Sequence, residues 1–522
     1  MGPHTSICME HAAPAGTTTP PENTKSMTNK SSIDLIDPHV WYGPNGKTSS
    51  LEERINPTQC RSVRIPKVPT TLRYILNYPK WIKPYVISIG PYHYGDKCLQ
   101  EGQKLKYLRA EKFMDDTQQQ RDELYRRIEN KIDDLAKCYD SNHVMKYNKK
   151  QLATMFLLDG CFLLHFIYYS SKEDGFKVLN LTNHEMAYIK QDLFLLENQL
   201  PYQVLKLLFK DAKFKAEFPR ELEESPIKEE LKGSFMEEMI KDFVTSHIPL
   251  PRGILGIEMI DQPCHLLHLL QCAIVGQLKI NGRREKEHED EEKKQHERKC
   301  LLKGGSKLLR QLLALLGVYC APLNTEDKGR RKFILQSNKN VHQLKAVGIH
   351  FRPSETSYLT DVSFTSHCFG ITGCLRLPPI TIDISTMIIF LNLIAFESSN
   401  AIDHFGVISY LCFLDSLIDH WDDVKELQAA RILHNFLGDQ REVAKFFNHV
   451  CGKLVPNYDA YKDVILQIQE HVERHHSSKS RKWLIQCKNT YFNSPWSIIA
   501  LIGAFLGLSL TAVQTYTSVA SS

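Results

Sequence analysis

The sequence predicts a mainly α-helical protein: one large helical domain with a small β element at about residues 346–382 and a C-terminal transmembrane helix. Three observations lead to this prediction. Apolar residues recur at helical spacing in most segments between residue 101 and Trp483. Residues 346–382 instead contain β-branched and aromatic stretches separated by Pro, Ser and Gly, which is typical of short strands. The last long apolar stretch carries no charged residue, as a membrane span requires.

The N-terminal part of the chain predicts little regular structure. Residues 1–55 are rich in Pro, Thr, Ser, Gly and Asn, so we expect them to be disordered. Five prolines between Val63 and Gly95 favour extended and turn structure over a long helix. We therefore expect the α-rich domain to span residues 56–492, after a disordered N-terminal segment.

Helical periodicity dominates after the proline-rich segment. Residues 101–137 combine helical spacing with many charges. Residues 150–170 are apolar almost all round, which predicts a helix buried at the centre of the fold. A membrane span is the alternative for this helix, although Asp159, Gly160 and His165 interrupt its longest apolar run.

The next segments predict further helices around a charged insertion. Residues 185–209 are predicted to form two helices that meet at Pro201, because proline suits the first turn of a helix. A helix resumes at 262–279, whereas residues 281–300 are almost wholly polar and form a solvated helix or a disordered insertion. After a β element of two or three strands, helices return beyond Pro379.

The C-terminal stretch carries the clearest physical signal. Residues 495–516 predict a single transmembrane helix, followed by a short tail at 517–522. As a helix, the 21 residues from Trp496 to Tyr516 span about 31 Å, the thickness of the hydrocarbon core of a bilayer. The aromatic residues at its two ends suit the membrane interfaces. The alternative is a buried hairpin helix of a soluble domain.

The flanks of this helix predict its orientation and its partners. Basic residues precede it and no charge follows it, so we expect the body to face the cytosol, at the plasma membrane or an endomembrane. The sequons at Asn29 and Asn180 should then carry no glycan. Gly503 and Gly507 form a G-x-x-x-G pair, which permits close helix–helix approach and hence a homodimer. Membrane lipid and an unidentified protein are the expected partners.

Composition and motifs exclude several classes of protein. The 14 cysteines lack the dense spacing of a disulfide framework, and no secretory signal begins the chain, which favours reduced thiols in the cytosol. A net charge of +5 is small against 65 basic and 60 acidic residues, so no nucleic-acid partner is expected. Nucleotide-binding and hydrolase motifs are absent from the sequence, and no cofactor is expected. His471 and His475 are expected to be solvated.

Three sets of residues are candidates for chemistry, and each has a structural alternative. Cys161 and His165 lie one helical turn apart, as a thiolate nucleophile and its base would, but a buried thiol is inert. Cys264, His268 and Cys272 share one helix face, where a satisfied core face is favoured over a metal site. A third set consists of acids within apolar stretches, namely Asp159, Glu197, Asp383, Glu397 and Asp415.

The acids and the glycine-proline motif also allow two interpretations each. Two carboxylates that met in one cleft would suggest acid–base chemistry. A buried carboxylate must otherwise be paired or hydrogen-bonded, and we expect Glu197 and Asn198 to satisfy backbone groups at a helix break. Gly90 and Pro91 are expected to set a tight turn in which Tyr92 and the neighbouring aromatics cap the core, although an aromatic turn could also bind a ligand.

Several segments, in order along the chain, together resemble a plant family, the domain of unknown function 247 family. They are IPKVP (65–69), VISIGPYHYG (86–95), KLKYL (104–108), FLLDGCFLLHF (156–166), DLFLLENQLPYQVL (192–205), HLLHLL (265–270), LPPITID (377–383), NLIAFE (392–397), FLDSLI (413–418), EVAKFFN (442–448) and PW (495–496). The resemblance covers roughly residues 60–516. The motif positions that it singles out are Gly90, Pro91, Tyr92, Asp159, Gly160, Glu197, Asn198, Pro201 and Glu397.

The resemblance implies a recognition role rather than a known reaction. The biochemical activity of the family is not established, and some grass members are implicated as pollen-side determinants of self-incompatibility. Together with the anchor, this predicts a membrane-anchored recognition or scaffolding protein that is not an enzyme, with a pollen-side self-incompatibility determinant as the sharpest version. The alternative hypothesis is an enzyme of unknown class that uses a buried Cys/His pair or a carboxylate site.

Overall fold

The computed structural model describes most of the predicted domain. The chain divides into residues 1–56 and residues 57–522, and all described residues belong to the second unit. The predictions for residues 1–55, 281–300 and 517–522, and for Trp496 and Tyr516, lie outside the described residues. The described residues are 65–76, 81–172, 175–210, 212, 228–247, 263–276, 339–367, 372–399, 406–457, 459–477, 503–504, 507–511 and 513–515.

The first part of this unit is a helical assembly around one long helix, α6. Helices α2, α3, α4, α7 and α9 all pack against α6, whose side chains are buried from Leu152 to Tyr168 with little interruption. The predicted central helix at 150–170 is therefore confirmed. The helices are α1 (Thr70–Leu76), α2 (Gln100–Thr117), α3 (Arg121–Glu129), α4 (Ile132–Ala136), α5 (Ser141–Val144), α6 (Lys149–Ser170), α7 (Gly175–Leu179), α8 (Asn183–Asp192) and α9 (Tyr202–Phe209).

Local sequence signals set the start and the packing of α6. The Asn148 side chain accepts a hydrogen bond from the Gln151 N–H, and the Gln151 side chain accepts one from the Asn148 N–H, both at 2.9 Å. This capping box satisfies two of the free amides at the start of the helix. Gly160 permits the close approach of α9, because a Cβ atom there would lie 2.4 Å from Leu208 Cδ1.

The second part of the unit continues the same core with further helices. Helix α13 is buried along almost its whole length and packs against α8, α14 and the strand β4. Buried apolar residues from Ile65 to Val472 form one contiguous core. The helices are α10 (Lys228–Thr245), α11 (Leu266–Val275), α12 (Val341–Ala346), α13 (Ile384–Glu397), α14 (Gly406–Leu417), α15 (Trp421–Ala429), α16 (Gln440–Val450) and α17 (Lys462–Ser477).

Two small sheets complete the fold. Strands β1 (Ile349–Pro353), β2 (Ser363–His367) and β3 (Thr372–Leu377) form a sheet of order β1-β3-β2, in which β1 is parallel and β2 antiparallel to β3. Strands β4 (Ile380–Ile382) and β5 (Leu433–Asn435) pair in parallel. The predicted β element is present, but it has four strands rather than two or three. Strand β5 was missed because three residues between helices carry no alternating pattern.

Two further expectations were wrong in detail. Helices α8 and α9 do not meet at Pro201, because residues 193–201 separate them without forming a helix. His471 and His475 are buried rather than solvated, with exposed fractions of 1% and 7%. Helix α17 packs against β2, and there the His471 ring contacts Phe364 with ring centroids 5.6 Å apart.

Candidate functional site at residues 65–95

Residues 81–95 form no long helix or strand, so side chains from elsewhere satisfy their backbone amides. Asp192 at the end of α8 accepts three of these hydrogen bonds. Its Oδ1 accepts from the Tyr85 N–H at 2.8 Å, and its Oδ2 accepts from the Val86 and Ile87 N–H groups at 2.7 and 3.0 Å. Burial raises the pKa of Asp192 to about 7, and the three backbone donors oppose that increase.

Asn198 continues this pattern toward the Gly-Pro turn. Its Oδ1 accepts from the Ile89 N–H at 2.6 Å, while its Nδ2 donates to the carbonyls of Ile87 and Asp192 at 3.0 and 2.9 Å. The Asp192 carbonyl belongs to the last residue of α8, where carbonyls lack a partner within the helix. Asn198 therefore satisfies backbone groups at a helix break and also holds a segment more than 100 residues away in sequence.

A buried ion pair lies beneath the Gly-Pro turn. Asp159 on α6 accepts from the Gly90 N–H at 2.8 Å through Oδ2, and its Oδ1 lies 2.6 Å from Lys106 Nζ on α2. Lys106 Nζ also donates to the Ser88 carbonyl at 2.8 Å. Both charged side chains are fully buried. Burial raises the pKa of Asp159, against the opposing influence of Lys106 and the Gly90 N–H.

Gly90 has a conformation and surroundings that exclude a side chain. Its φ is +73°, in the left-handed region that favours glycine. A Cβ atom at this position would lie 2.8 Å from the Gln199 carbonyl oxygen and 3.0 Å from the Tyr139 hydroxyl. The tight turn expected at Gly90 and Pro91 is therefore built against the segment that follows α8.

Tyr92 joins two further segments to this turn. Its hydroxyl donates to the Ile65 carbonyl at 2.7 Å and accepts from the Asp140 N–H at 3.1 Å. Its ring meets the Tyr139 ring edge-on, with centroids 5.6 Å apart. The preceding Pro91 carbonyl accepts from the Tyr147 hydroxyl at 3.3 Å. Tyr92 thus fixes the chain at residue 65 beside the start of α5.

Glu197 holds the segment before α1 in place. Its Oε1 accepts from the Val68 N–H at 2.8 Å and from the Arg73 guanidinium. His93 Nε2 lies 3.9 Å from Glu197 Oε2. Desolvation lowers the pKa of His93, which keeps the ring neutral near pH 7.

An open cavity of about 720 Å³ lies beside Arg73, the cation that pairs with Glu197. Its walls come from the chain before and within α1 and from the start of α5, the two segments that Tyr92 and Glu197 hold in position. The polar network therefore shapes the cavity. The lining residues are Pro66, Lys67, Val68, Pro69, Thr70, Arg73, Asp140, Ser141 and Asn142.

Sequence reasoning missed several members of the network. Lys106 was missed because it is one of many charged residues in its helix, and Asp192 was not singled out although it begins an apolar run. Asn392 on α13 was missed too: its Oδ1 accepts from the Leu196 N–H at 2.7 Å, and its Nδ2 donates to the Trp81 carbonyl at 2.8 Å. A polar residue within an apolar helix was the signal for Asn392.

The remaining acids occupy other places. Glu397 accepts from the Val407 and Ile408 N–H groups at 3.0 and 2.9 Å, which caps the start of α14. Burial raises its pKa to about 7. Asp383 caps α13 by accepting from the Thr386 N–H at 2.8 Å. In the described part of the chain, each of four acids therefore has its own hydrogen-bond partners, namely Asp159, Glu197, Asp383 and Glu397. Asp415 is half-buried on α14.

The thiol and imidazole of α6 lie inside the core. Cys161 is fully buried, and burial raises the pKa of its thiol. His165 Nε2 lies 3.4 Å from Asp116 Oδ2, and desolvation lowers the pKa of the ring to about 4. A buried neutral thiol is a poor nucleophile.

The cysteine- and histidine-bearing face of α11 packs against α13. His268 Nδ1 accepts from the Cys264 N–H at 3.1 Å, and the rings of His265 and His268 lie 4.9 and 5.6 Å from that of Phe396. The part of the chain that the structure describes contains no group of three His, Cys, Asp or Glu side chains able to hold a metal ion.

One helix among the described residues has the length and composition of a membrane span. Helix α6 alone among them is long and apolar enough to cross a bilayer, but 89% of its apolar window is buried within the protein, as in a core helix. Ten residues of the predicted C-terminal span are described, at 503–504, 507–511 and 513–515, and all are helical and exposed. A Cβ atom at Gly503 or Gly507 would meet nothing within 4 Å. The anchor and the homodimer remain predictions.

Comparison with known proteins identifies the family. A family model described as a plant protein of unknown function, the domain of unknown function 247, matches residues 65–510. The Arabidopsis thaliana UPF0481 protein At3g02645 is 23% identical over 88% of this chain and 91% of its own length, and the UPF0481 protein At3g47200 of the same plant is 24% identical over 90% and 88%. No solved structure matches. Because the family model covers most of the chain, this protein belongs to the domain of unknown function 247 family of plant proteins.

Proposed function

We propose that this protein is a membrane-anchored recognition or scaffolding protein whose helical body faces the cytosol. The observation that carries the proposal is an exposed apolar helical stretch near the C-terminus. Leu508, Leu510 and Val513 have exposed fractions of 71%, 65% and 59%. Removing one such side chain from water is worth about 1.5–3 kcal/mol, so the three together favour burial by several kcal/mol. A bilayer would supply that burial.

Two hydroxyl groups of this stretch are also suited to lipid. The Thr511 hydroxyl donates to the Gly507 carbonyl and the Thr515 hydroxyl to the Thr511 carbonyl, both at 2.8 Å. Such bonds leave no hydroxyl hydrogen facing the hydrocarbon. The basic residues that precede the stretch support a cytosolic body.

The interior of the body supports recognition rather than catalysis. Backbone amides donate hydrogen bonds to the carboxylates of Asp159, Asp192 and Glu197. Lys106 also pairs with Asp159, and Arg73 pairs with Glu197. The core encloses Cys161. Groups that already have structural partners are not poised to transfer protons or attack a substrate. The surface, rather than the buried polar network, is therefore proposed to contact a protein partner.

A pair of arginine substitutions tests the anchor. Leu508→Arg places a charge in the proposed span and should weaken insertion by about 2.5–3.5 kcal/mol, roughly two orders of magnitude in the partition constant. Val455→Arg is the matched control, because Val455 is an apolar residue of the body with an exposed fraction of 74%. After alkaline carbonate extraction, the control should stay with membranes and Leu508→Arg should leave them. If both variants stay as firmly as the intact chain, the anchor is wrong.

Asn180 reports the orientation. It lies in an exposed turn between α7 and α8, with φ +48°, and is accessible to any glycosylation machinery in the same compartment. A cytosolic body predicts no change in electrophoretic mobility after endoglycosidase treatment. A glycan on Asn180 would show that the body faces the opposite side of the membrane from the cytosol.

The sharpest version of the proposal, a pollen-side determinant of self-incompatibility, is supported by the family resemblance alone. Its test is genetic. Deleting the gene in pollen should change compatibility with the stigma. Unchanged compatibility refutes this version and leaves the anchored body to be tested by extraction.

A further inference from the structure

We propose that the cavity bounded by residues 66–73 and 140–142 binds the phosphate group of a small anionic ligand. The volume of about 720 Å³ lies within the range of small-molecule sites, which is about 300–1,000 Å³. It is too large for a phosphate ion alone, so the phosphate is the recognised part of a larger molecule.

Uncommitted hydrogen-bond donors line this cavity. Lys67 forms no ion pair within the described part of the chain, and its Nζ lies 5.5 Å from the centre of the Tyr92 ring. Thr70, Ser141 and Asn142 are exposed, and among the described residues their side chains have no hydrogen-bond partner. A lysine, hydroxyls and an amide are the groups that proteins use to bind phosphate oxygens.

The two acids nearest the cavity differ in how far the protein already engages them. Asp140 Oδ1 accepts from the Asn142 N–H at 2.9 Å. Glu197 is 3% exposed and receives the Val68 N–H and the Arg73 guanidinium. Arg73 is 37% exposed and still presents donors toward the cavity. The cavity lining therefore carries two cations, Lys67 and Arg73, against one carboxylate, Asp140, which favours an anion over a cation.

The cavity is also preorganised. Pro66 and Pro69 restrict the backbone on one wall, and the Tyr92 hydroxyl ties that wall to residue 140 through two hydrogen bonds. Rigid walls lower the cost of ordering side chains around a ligand. The Lys67 ammonium supplies a positive charge that forms no ion pair with any carboxylate among the described residues.

Inorganic phosphate is the probe for the test. The width of the phosphorus-31 signal of phosphate is measured while the full-length chain in phosphatidylcholine nanodiscs is added. Lys67→Ala should weaken binding about tenfold, as expected for the loss of one charge-assisted hydrogen bond. Lys97→Ala, which removes an exposed lysine outside the cavity, should bind like the intact chain. Ser141→Ala with Asn142→Ala provides a second variant that alters only exposed side chains and should also weaken binding.

Three results would overturn the proposal. The first is that the intact chain causes no broadening of the phosphate signal. The second is that Lys67→Ala broadens the signal as much as the intact chain does, although both proteins melt at the same temperature. The third is that an equal concentration of acetate displaces the phosphate. The source of the ligand is distinguished by repeating the titration in nanodiscs that contain phosphatidic acid. Loss of phosphate binding there assigns the site to a lipid headgroup, and unchanged binding assigns it to a soluble phosphate compound.

Discussion

Replacing Lys106 by methionine should destabilise the body by about 3–5 kcal/mol, the usual cost of leaving one member of a buried ion pair without its partner. Lys106 Nζ lies 2.6 Å from Asp159 Oδ1, and both side chains are fully buried. The Ser88 carbonyl also loses a donor at 2.8 Å. Methionine fills much of the lysine volume, so the loss reflects the uncompensated charge rather than a cavity.

The remaining carboxylate explains how the loss can be recovered. In Lys106→Met, the Asp159 carboxylate is desolvated with only the Gly90 N–H to stabilise its charge. Adding Asp159→Asn removes that charge and keeps an oxygen that accepts from Gly90, which avoids a further penalty of about 1–3 kcal/mol. The double variant should therefore be more stable than Lys106→Met alone.

Urea unfolding followed by circular dichroism measures these changes. Lys104→Met is the matched control on the same helix, because Lys104 is 73% exposed and its ion pair with Glu101 is a surface pair. The control should unfold close to the midpoint of the intact chain. The deficit of Lys106→Met should also shrink as the pH is lowered, because the pKa of a buried Asp159 is raised and the unpaired carboxyl takes up a proton in the folded state. A deficit below about 1 kcal/mol, or one that does not change with pH, would refute this account of the ion pair.

Two further predictions concern Gly90 and Asp192. Gly90→Ala should lower the melting temperature more than Gly95→Ala. Both positions have positive φ, but a Cβ atom meets the Gln199 carbonyl only at Gly90. Equal losses would show that the close contact is unimportant. Because the folded-state pKa of Asp192 is raised to about 7, above its unfolded value, the folded protein binds more protons at intermediate pH. Its contribution to stability is present at about pH 4 and is lost as the pH rises through 7. Unfolding midpoints of Asp192→Asn should therefore vary less with pH than those of the intact chain, and an unchanged slope would contradict this assignment.

Strong local signals made much of the helical fold predictable. The apolar run at 150–170 and the capping residue Asn148 define α6, and the structure has a helix there. The small β element was also placed correctly, at 346–382. The parallel partner of β4 could not be foreseen, because β5 lies more than 50 residues later and has only three residues.

The polar network was predictable by residue type but not by pairing. An acid within an apolar stretch signals a buried, satisfied carboxylate, and Asp159 and Glu197 were singled out on that ground. Their partners lie far away in sequence: Lys106 is 53 residues from Asp159, and Val68 is 129 residues from Glu197. No local pattern encodes such a distance, so neither these pairs nor the cavity at residues 66–73 and 140–142 could be found from the sequence.

The chemistry of residues 65–95 explains which positions the fold leaves available for function. Prolines remove amide donors from this segment and prevent a long helix, so its remaining amides need acceptors from α6, α8 and the segment that follows α8. Asp159, Asp192 and Asn198 provide those acceptors, which is sufficient reason for their residue types without any reaction. In the described chain, no such structural task falls to the donor side chains that line the cavity, namely Lys67, Thr70, Ser141 and Asn142. A change at Lys67 that alters a biological function while leaving the unfolding midpoint unchanged would therefore report on the cavity, whereas a change at Asp159 would report first on folding.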